Sequence, residues 1–283
     1  MYKANITRQH KGAIMLLIDQ SGSMDEECFF NGKSTTKAQA VATIANTFIE
    51  EIIDRAHREI GVGDYFDIAV IGYGGNDAKS LFGTRFRSIT EFNSMYVPIA
   101  KHYIVRKLPT GEHIDFFFSQ RQWVEPVAKG RTPMGNALRV ARTMCNAWCR
   151  KHPQSFPPIV INISDGEATD ATEEQLVHLA ERLKMVATED GNLLFFNIHL
   201  SSNNADNSYT LKWPASGEPL PNIRHAKLLH DLSSKLPPLY SEAIASLKGQ
   251  FTPQEYRAVC YNTSCEELIG AMYIGSLSLH RML

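Results

Sequence analysis

The sequence predicts an α/β fold in three layers, with a doubly wound, mostly parallel central sheet and helices on both of its faces. Two observations lead to this prediction. Apolar segments of strand length alternate with segments of helical periodicity along the 283-residue chain. The apolar segments are also continuous, which is typical of strands that are buried on both faces of a parallel sheet.

Four apolar runs predict the buried strands of this sheet. They are AIMLLID (13–19), FDIAVIGYGG (66–75), PPIVINIS (157–164) and NLLFFNIHLS (192–201). Two weaker segments predict shorter strands, SLFGTRFRSI (80–89) at a sheet edge and RAVCYN (257–262) near the end of the chain.

The helices are predicted from apolar residues that recur every three or four positions. They span about 37–57, 133–151, 172–188, 226–236, 239–250 and 264 to the end, and a long loop is expected at 202–224. Asp170 and Glu173 have the spacing of a capping box at the start of the helix at 172–188.

The whole chain, 1–283, is expected to form one domain, because every segment contributes a strand or a helix to one pattern. The stretch at about 91–129 departs from that pattern. It has strand-like pieces, proline and glycine breaks and no clear period, so we expect an inserted hairpin or excursion there.

Composition excludes several functional classes. The chain carries 29 Lys and Arg against 30 Asp and Glu, a formal net charge of −1, which argues against a nucleic-acid-binding surface. No run approaches the ~20 apolar residues of a membrane helix, and the polar N-terminus lacks a signal-peptide core. The five cysteines include no CxxC pair. We therefore expect a cytoplasmic protein that binds neither nucleic acid nor membrane.

Three polar motifs lie where ligands bind in such sheets, beyond the carboxyl ends of the strands. The first is DxSxS, with Asp19, Ser21 and Ser23 directly after the first strand. The second, TPMGNAL, places Thr132 at the entry to a helix, and the third, SDGEATD, places Asp165 directly after another strand.

All five side chains offer oxygen, which suits a hard cation, with Mg²⁺ favoured and Ca²⁺ or Mn²⁺ as alternatives. The competing interpretation is that these residues cap helices and turns. It is strongest for Thr132, which would lie near the N-cap if Pro133 is the first helical residue. The acidic run at 25–27 is expected to be a solvated loop, although it could tune the charge of the site.

The segments IMLLIDQSGSM, TPMGNAL and ISDGEATD resemble the three loops of the von Willebrand factor A (vWA) family, which carry a metal-ion-dependent adhesion site (MIDAS). The resemblance covers nearly the whole chain in element order and implies a Rossmann-like vWA fold of the intracellular bacterial type. It implies that Ser21 and Ser23 bind the ion directly, and that Thr132 binds directly or through water. Asp19 and Asp165 would act largely through waters.

The function implied by the resemblance is a non-catalytic adaptor. The open position on the ion would accept an Asp or Glu side chain of a partner protein, and intracellular relatives work with ATPases, kinases or phosphatases. The alternative is a Mg²⁺-dependent hydrolase or phosphoryl-transfer enzyme with Asp19 as nucleophile. Against it, the loop is DxSxS and no lysine is clearly placed to stabilise phosphate. A third alternative is a structural subunit with a vestigial site.

Overall fold

The computed structural model describes residues 1–59, 61–107, 113–201, 209–250 and 252–276. Its main sheet has eight strands, which we number in chain order: β1 (Gly12–Asp19), β2 (Phe66–Gly74), β3 (Asp77–Ser80), β4 (Arg87–Ser88), β5 (Ile159–Ser164), β6 (Leu194–Leu200), β7 (Leu211–Lys212) and β8 (Val259–Thr263).

The strands lie in the order β7-β8-β6-β5-β1-β2-β3, and β4 pairs with β2 beside β3. The five strands from β8 to β2 are parallel to their neighbours, while β3, β4 and β7 pair antiparallel at the edges. The predicted mostly parallel sheet is thus confirmed. The strand order reverses between β1 and β5, which places a ligand crevice at the carboxyl ends of these two strands.

Seven α-helices are present in the described residues: α1 (Lys37–Arg55), α2 (Ile89–Ser94), α3 (Met134–Lys151), α4 (Glu173–Lys184), α5 (Arg224–Leu232), α6 (Ser241–Leu247) and α7 (Cys265–Gly275). α1, α2, α6 and α7 pack on one face of the sheet, and α3, α4 and α5 pack on the other. Successive residues of β1 enter these two cores in turn, which explains its continuous apolar sequence.

Four two-stranded hairpins lie outside the main sheet. They are Glu27–Phe30 with Lys33–Thr36, His57–Arg58 with Gly61–Val62, Ile99–Lys107 with His113–Arg121, and Ala187–Thr188 with Gly191–Asn192. The first of them follows the 3₁₀ turn Gly22–Asp25 and leads directly into α1. The third lies within the predicted excursion at 91–129.

Several predicted boundaries differ from the structure. The edge strand expected at 80–89 does not form as one strand, because β3 ends at Ser80 and only Arg87–Ser88 of the remaining span is in a strand, β4. The helix expected at 172–188 ends at Lys184, where the chain turns into a short hairpin. The predicted loop residues 202–208 and the predicted helical residues 277–283 lie outside the described part of the chain. Among the helices that are described, none is long and apolar enough to cross a membrane.

Candidate metal centre

Asp19 ends the central strand β1, and its carboxylate is buried at the ligand crevice. The side chain is folded back on its own loop, because Oδ1 accepts a 2.8 Å hydrogen bond from the backbone N–H of Ser21. Oδ2 is also buried, and it has no hydrogen-bond partner within the described residues. A buried carboxylate oxygen without a partner is costly, so this atom marks a position where a cation would be stabilised.

The two serines of the motif and Asp165 form a chain of oxygen contacts. The hydroxyls of Ser21 and Ser23 lie 3.1 Å apart, and Ser23 Oγ donates a 2.7 Å bond to Asp165 Oδ1. Asp165 follows β5, the parallel neighbour of β1, so the sheet itself brings these loops together. Asp19, Ser21, Ser23 and Asp165 are therefore gathered at one point, as the motif spacing led us to expect.

Lys37, which the sequence analysis did not single out, is part of the same cluster. Its ammonium group donates a 2.9 Å bond to Asp165 Oδ2 and a 2.8 Å bond to Glu26 Oε2. The side chains of Lys37 and Asp165 are both 0% exposed. Burial by itself lowers the pKa of Lys37, but the bonds to the two carboxylates outweigh it and raise the pKa.

This contact corrects two expectations. Glu26 is paired with Lys37 and is not simply part of a solvated acidic run, and a lysine does lie at the site. The sequence did contain a signal, since Lys37 is the first residue of α1, where the helix dipole disfavours a cation. A lysine in that position suggests a specific acidic partner.

Thr132 is buried in the loop that precedes α3, and its backbone is hydrogen-bonded to the loop after β5. Its N–H donates to Thr169 Oγ1 at 3.0 Å, and its carbonyl accepts from the N–H of Thr169 at 2.9 Å. α3 begins at Met134, so the N-cap position belongs to Pro133 and not to Thr132. Capping by the Thr132 side chain therefore does not explain this residue.

Asp170 caps α3 instead of starting its own helix. Its two carboxylate oxygens accept from the backbone N–H groups of Gly135 and Asn136 at 2.9 and 2.8 Å. The predicted capping box of Asp170 with Glu173 is wrong, because α4 has its box at Thr172 and Gln175. Asp170 thus locks the Asp165 loop onto the N-terminus of α3, beside Thr132.

Backbone contacts between glycines hold the β1 loop, the end of β2 and the α3 loop in close register. The N–H of Gly22 donates to the carbonyl of Gly130 at 3.0 Å, and Gly75 bridges to the same segment. Gly130 has φ +69°, and a Cβ there would lie 2.6 Å from Cα of Gly75. Only glycine fits, so this position fixes how closely the loops approach.

The electrostatics of the cluster favour a positive ion. Burial raises the pKa of Asp19 to about 7, the bonds from Ser21 oppose this rise, and the nearby Asp165 carboxylate adds to it. A cation at Asp19 would offset both unfavourable effects. The donor set of carboxylates and hydroxyls fits Mg²⁺ or Mn²⁺ rather than zinc. No group of three or more His, Cys, Asp or Glu side chains suited to a metal occurs in the described part of the chain.

A cleft of about 550 Å³ opens beside the cluster. Gln20, which lies between Asp19 and Ser21 in the sequence, lines this cleft, as do Trp123 and Glu125 of the predicted excursion. Side chains of both charge signs also line it, so the cleft is mixed in character: Asp77, Lys79 and Lys129.

Comparison with known proteins gives structural similarities at low sequence identity. No protein-family model and no curated protein matches the chain significantly. Among solved structures, the chain is similar to a von Willebrand factor type A protein from Catenulispora acidiphila, with a TM-score of 0.39 and 15% identity. It is also similar to the vWF domain of the type V pili tip protein Mfa5 from Porphyromonas gingivalis (TM-score 0.33, 12% identity) and to manganese-loaded Plasmodium vivax TRAP protein (0.33, 16%).

These alignments cover 68%, 57% and 67% of this chain, but only 34%, 40% and 57% of the respective proteins. The chain thus matches less than two thirds of each of these three proteins. The class of the protein therefore follows from its own fold and residues. It is a doubly wound α/β protein with an oxygen-lined candidate metal centre at the β1–β5 crevice.

Proposed function

We propose that the protein is a metal-dependent protein-binding module that docks an acidic side chain of a partner through a bound divalent cation. Mg²⁺ is the ion we favour, and five residues would hold it: Asp19, Ser21, Ser23, Thr132 and Asp165. The observation that carries the proposal is the buried Oδ2 of Asp19, which has no hydrogen-bond partner among the described residues and belongs to the loop whose serine hydroxyls reach Asp165.

The charges of the buried groups support docking of an acid. Three buried side chains at the site carry a formal charge when Asp19 has lost its proton: Asp19 and Asp165 with −1 each, and Lys37 with +1. Their sum is −1, so a divalent ion leaves this buried set with a charge of +1, which the partly exposed Glu26 beside Lys37 offsets only in part. An ion that is not neutralised by its own ligands attracts an external carboxylate.

The same contacts favour a binding module over the phosphoryl-transfer alternative. The ammonium group of Lys37 donates hydrogen bonds to two carboxylates, and the side chain is fully buried, so it does not face an incoming phosphate. The adjacent cleft would take the residues that flank the partner's acid. The partner we expect is a protein, such as an ATPase, kinase or phosphatase of the same system.

The ion site is tested by calorimetric titration of the EDTA-stripped protein with Mg²⁺ and Mn²⁺, together with thermal unfolding. We expect saturable binding and a higher unfolding midpoint with either ion. Asp19→Ala should abolish both effects. The matched control is Asp25→Ala, which removes an exposed carboxylate of the same loop and should bind the ions like the wild type. Undiminished ion stabilisation in Asp19→Ala would contradict the proposal.

Partner docking is tested by affinity purification with immobilised protein in Mg²⁺ and in EDTA. A true partner should be retained by the wild type in Mg²⁺ only, and it should not be retained by Asp19→Ala. Replacing the contacting Asp or Glu of that partner by Asn or Gln should then abolish the interaction. A partner that binds equally in EDTA would show that docking does not use the ion.

A further inference from the structure

Lys37 occupies an unusual position for a lysine. It is the first residue of α1, its side chain is 0% exposed, and its ammonium group lies between Asp165 Oδ2 at 2.9 Å and Glu26 Oε2 at 2.8 Å. Asp165 is equally buried, while the Glu26 side chain is 39% exposed. The ammonium group thus connects the buried candidate metal centre to Glu26 at the protein surface.

This position is unfavourable unless the lysine has a specific role. Removing an ammonium ion from water is strongly unfavourable, and the N-terminus of a helix repels positive charge. The first turn of α1 contains no acidic residue that would compensate for this. Its two carboxylate partners come from other segments, so the charge is placed for those partners and not for the helix.

The two oxygens of Asp165 have different partners. Oδ1 accepts from Ser23 and belongs to the proposed ligand chain, whereas Oδ2 is bound to Lys37. Lys37 therefore holds the Asp165 carboxylate in one orientation and leaves only Oδ1 on the side of the serine hydroxyls. The Lys37 ammonium group and the proposed ion would be separated by the Asp165 carboxylate alone, so their two positive charges must repel each other.

We propose that Lys37 is an internal counter-cation of the metal centre. It holds the Asp165 carboxylate in place when no ion is bound, and it lowers the affinity of the site for a divalent cation. Glu26 raises the affinity for the cation, because its carboxylate at the protein surface neutralises part of the Lys37 charge. This inference rests on the proposed function, since it concerns the affinity of that same site.

The test is a comparison of Mg²⁺ dissociation constants by calorimetry for wild type, Lys37→Met and Glu26→Gln. Methionine keeps the unbranched, buried side chain and removes the charge. We expect Lys37→Met to bind Mg²⁺ roughly tenfold more tightly or better, while its ion-free form unfolds at a lower temperature. Glu26→Gln should bind Mg²⁺ more weakly than the wild type. Lys33→Met, at an exposed lysine of the preceding hairpin, should match the wild type in both measurements.

The direction of the change separates this role from a merely structural one. If Lys37 only supports the fold around Asp165, Lys37→Met weakens Mg²⁺ binding, because the ligand loses its anchor. Equal or weaker binding by Lys37→Met, or a change of the same sign in Glu26→Gln, overturns the inference. Should Lys37→Met fail to fold without the ion, Lys37→Gln and Glu26→Gln carry the same comparison. A wild type that does not bind Mg²⁺ overturns the proposed function instead.

Discussion

The hydroxyl of Ser23 donates a 2.7 Å hydrogen bond to Oδ1 of Asp165, and this bond joins the loop after β1 to the loop after β5. The two strands are parallel neighbours, so their carboxyl ends lie side by side. The bond brings two of the proposed ligands, one from each loop, into direct contact. If these residues hold an ion as proposed, changes to the contacts that support them should be measurable both in stability and in ion binding.

The first prediction concerns the pH dependence of the ion-free protein. The pKa of Asp19 is about 7 in the folded chain, above the value of about 3.9 in an unfolded chain. Its stabilising contribution is therefore fully present below about pH 4 and is lost as the pH rises through about 7. We expect the unfolding midpoint of the wild type to fall over this range relative to Asp19→Asn, whose side chain does not titrate.

Ion binding should reverse this dependence. Mg²⁺ must displace the proton of Asp19, so its affinity should decrease as the pH is lowered below about 7. Thermal unfolding from pH 5 to 8, with EDTA and with Mg²⁺, measures both effects. Parallel pH profiles for wild type and Asp19→Asn in EDTA would contradict the raised pKa.

The second prediction concerns Asp170. Asp170→Ala removes the acceptor for the N–H groups of Gly135 and Asn136, so we expect the free energy of unfolding to fall by about 1–2 kcal/mol. Mg²⁺ affinity should also decrease, because the start of α3 positions Thr132. Urea unfolding and calorimetry measure the two effects. Glu125→Ala, which removes an exposed loop carboxylate, serves as the control and should change stability little.

The third prediction compares two glycines. Gly130→Ala places a Cβ 2.6 Å from Cα of Gly75 at a backbone with φ +69°, so we expect a loss of roughly 1–2 kcal/mol or more. Gly270, within α7, has no atom within 4 Å of an added Cβ, so Gly270→Ala should be neutral or stabilise by roughly 0.5–1 kcal/mol. Urea unfolding measures both. Gly130→Ala should in addition weaken Mg²⁺ binding, and a Gly130→Ala protein as stable as the wild type would show that the loops can separate without cost.

The fourth prediction concerns catalysis. We expect the protein to leave p-nitrophenyl phosphate and acetyl phosphate unhydrolysed in Mg²⁺, because the Lys37 ammonium is fully buried and bound to two carboxylates. The assay compares wild type with Asp19→Asn at equal concentrations. Turnover that is present in the wild type and lost in Asp19→Asn would favour the enzymatic alternative.

Local sequence patterns sufficed for most of the elements. β1, β2, β5 and β6 each bury both faces in the sheet, so their sequences are apolar without alternation, and their bounds follow closely. The edge strands were harder to place. β3 and β4 are short and partly exposed, so their residues carry little hydrophobic signal.

Clustering of Asp19, Ser21, Ser23 and Asp165 was also predictable, because each follows a strand at the same edge of a parallel sheet. Their positions after the predicted strands, together with the rule for ligand sites in such sheets, are enough to predict that they lie close together. Thr132 was less certain, since the same position suits a helix cap. The structure gives the cap of α3 to Asp170, a residue from a different loop.

The pairing of Lys37 with Asp165 was decided by the tertiary structure, as was that of Asp170 with the N-terminus of α3. Hydrophobic periodicity records which face of an element is buried, and it therefore specifies strands and helices one at a time. It carries no information on which polar group of a distant segment a buried charge meets. That choice depends on how the loops after β1 and β5 pack against the starts of α1 and α3, and it sets the charge of the site.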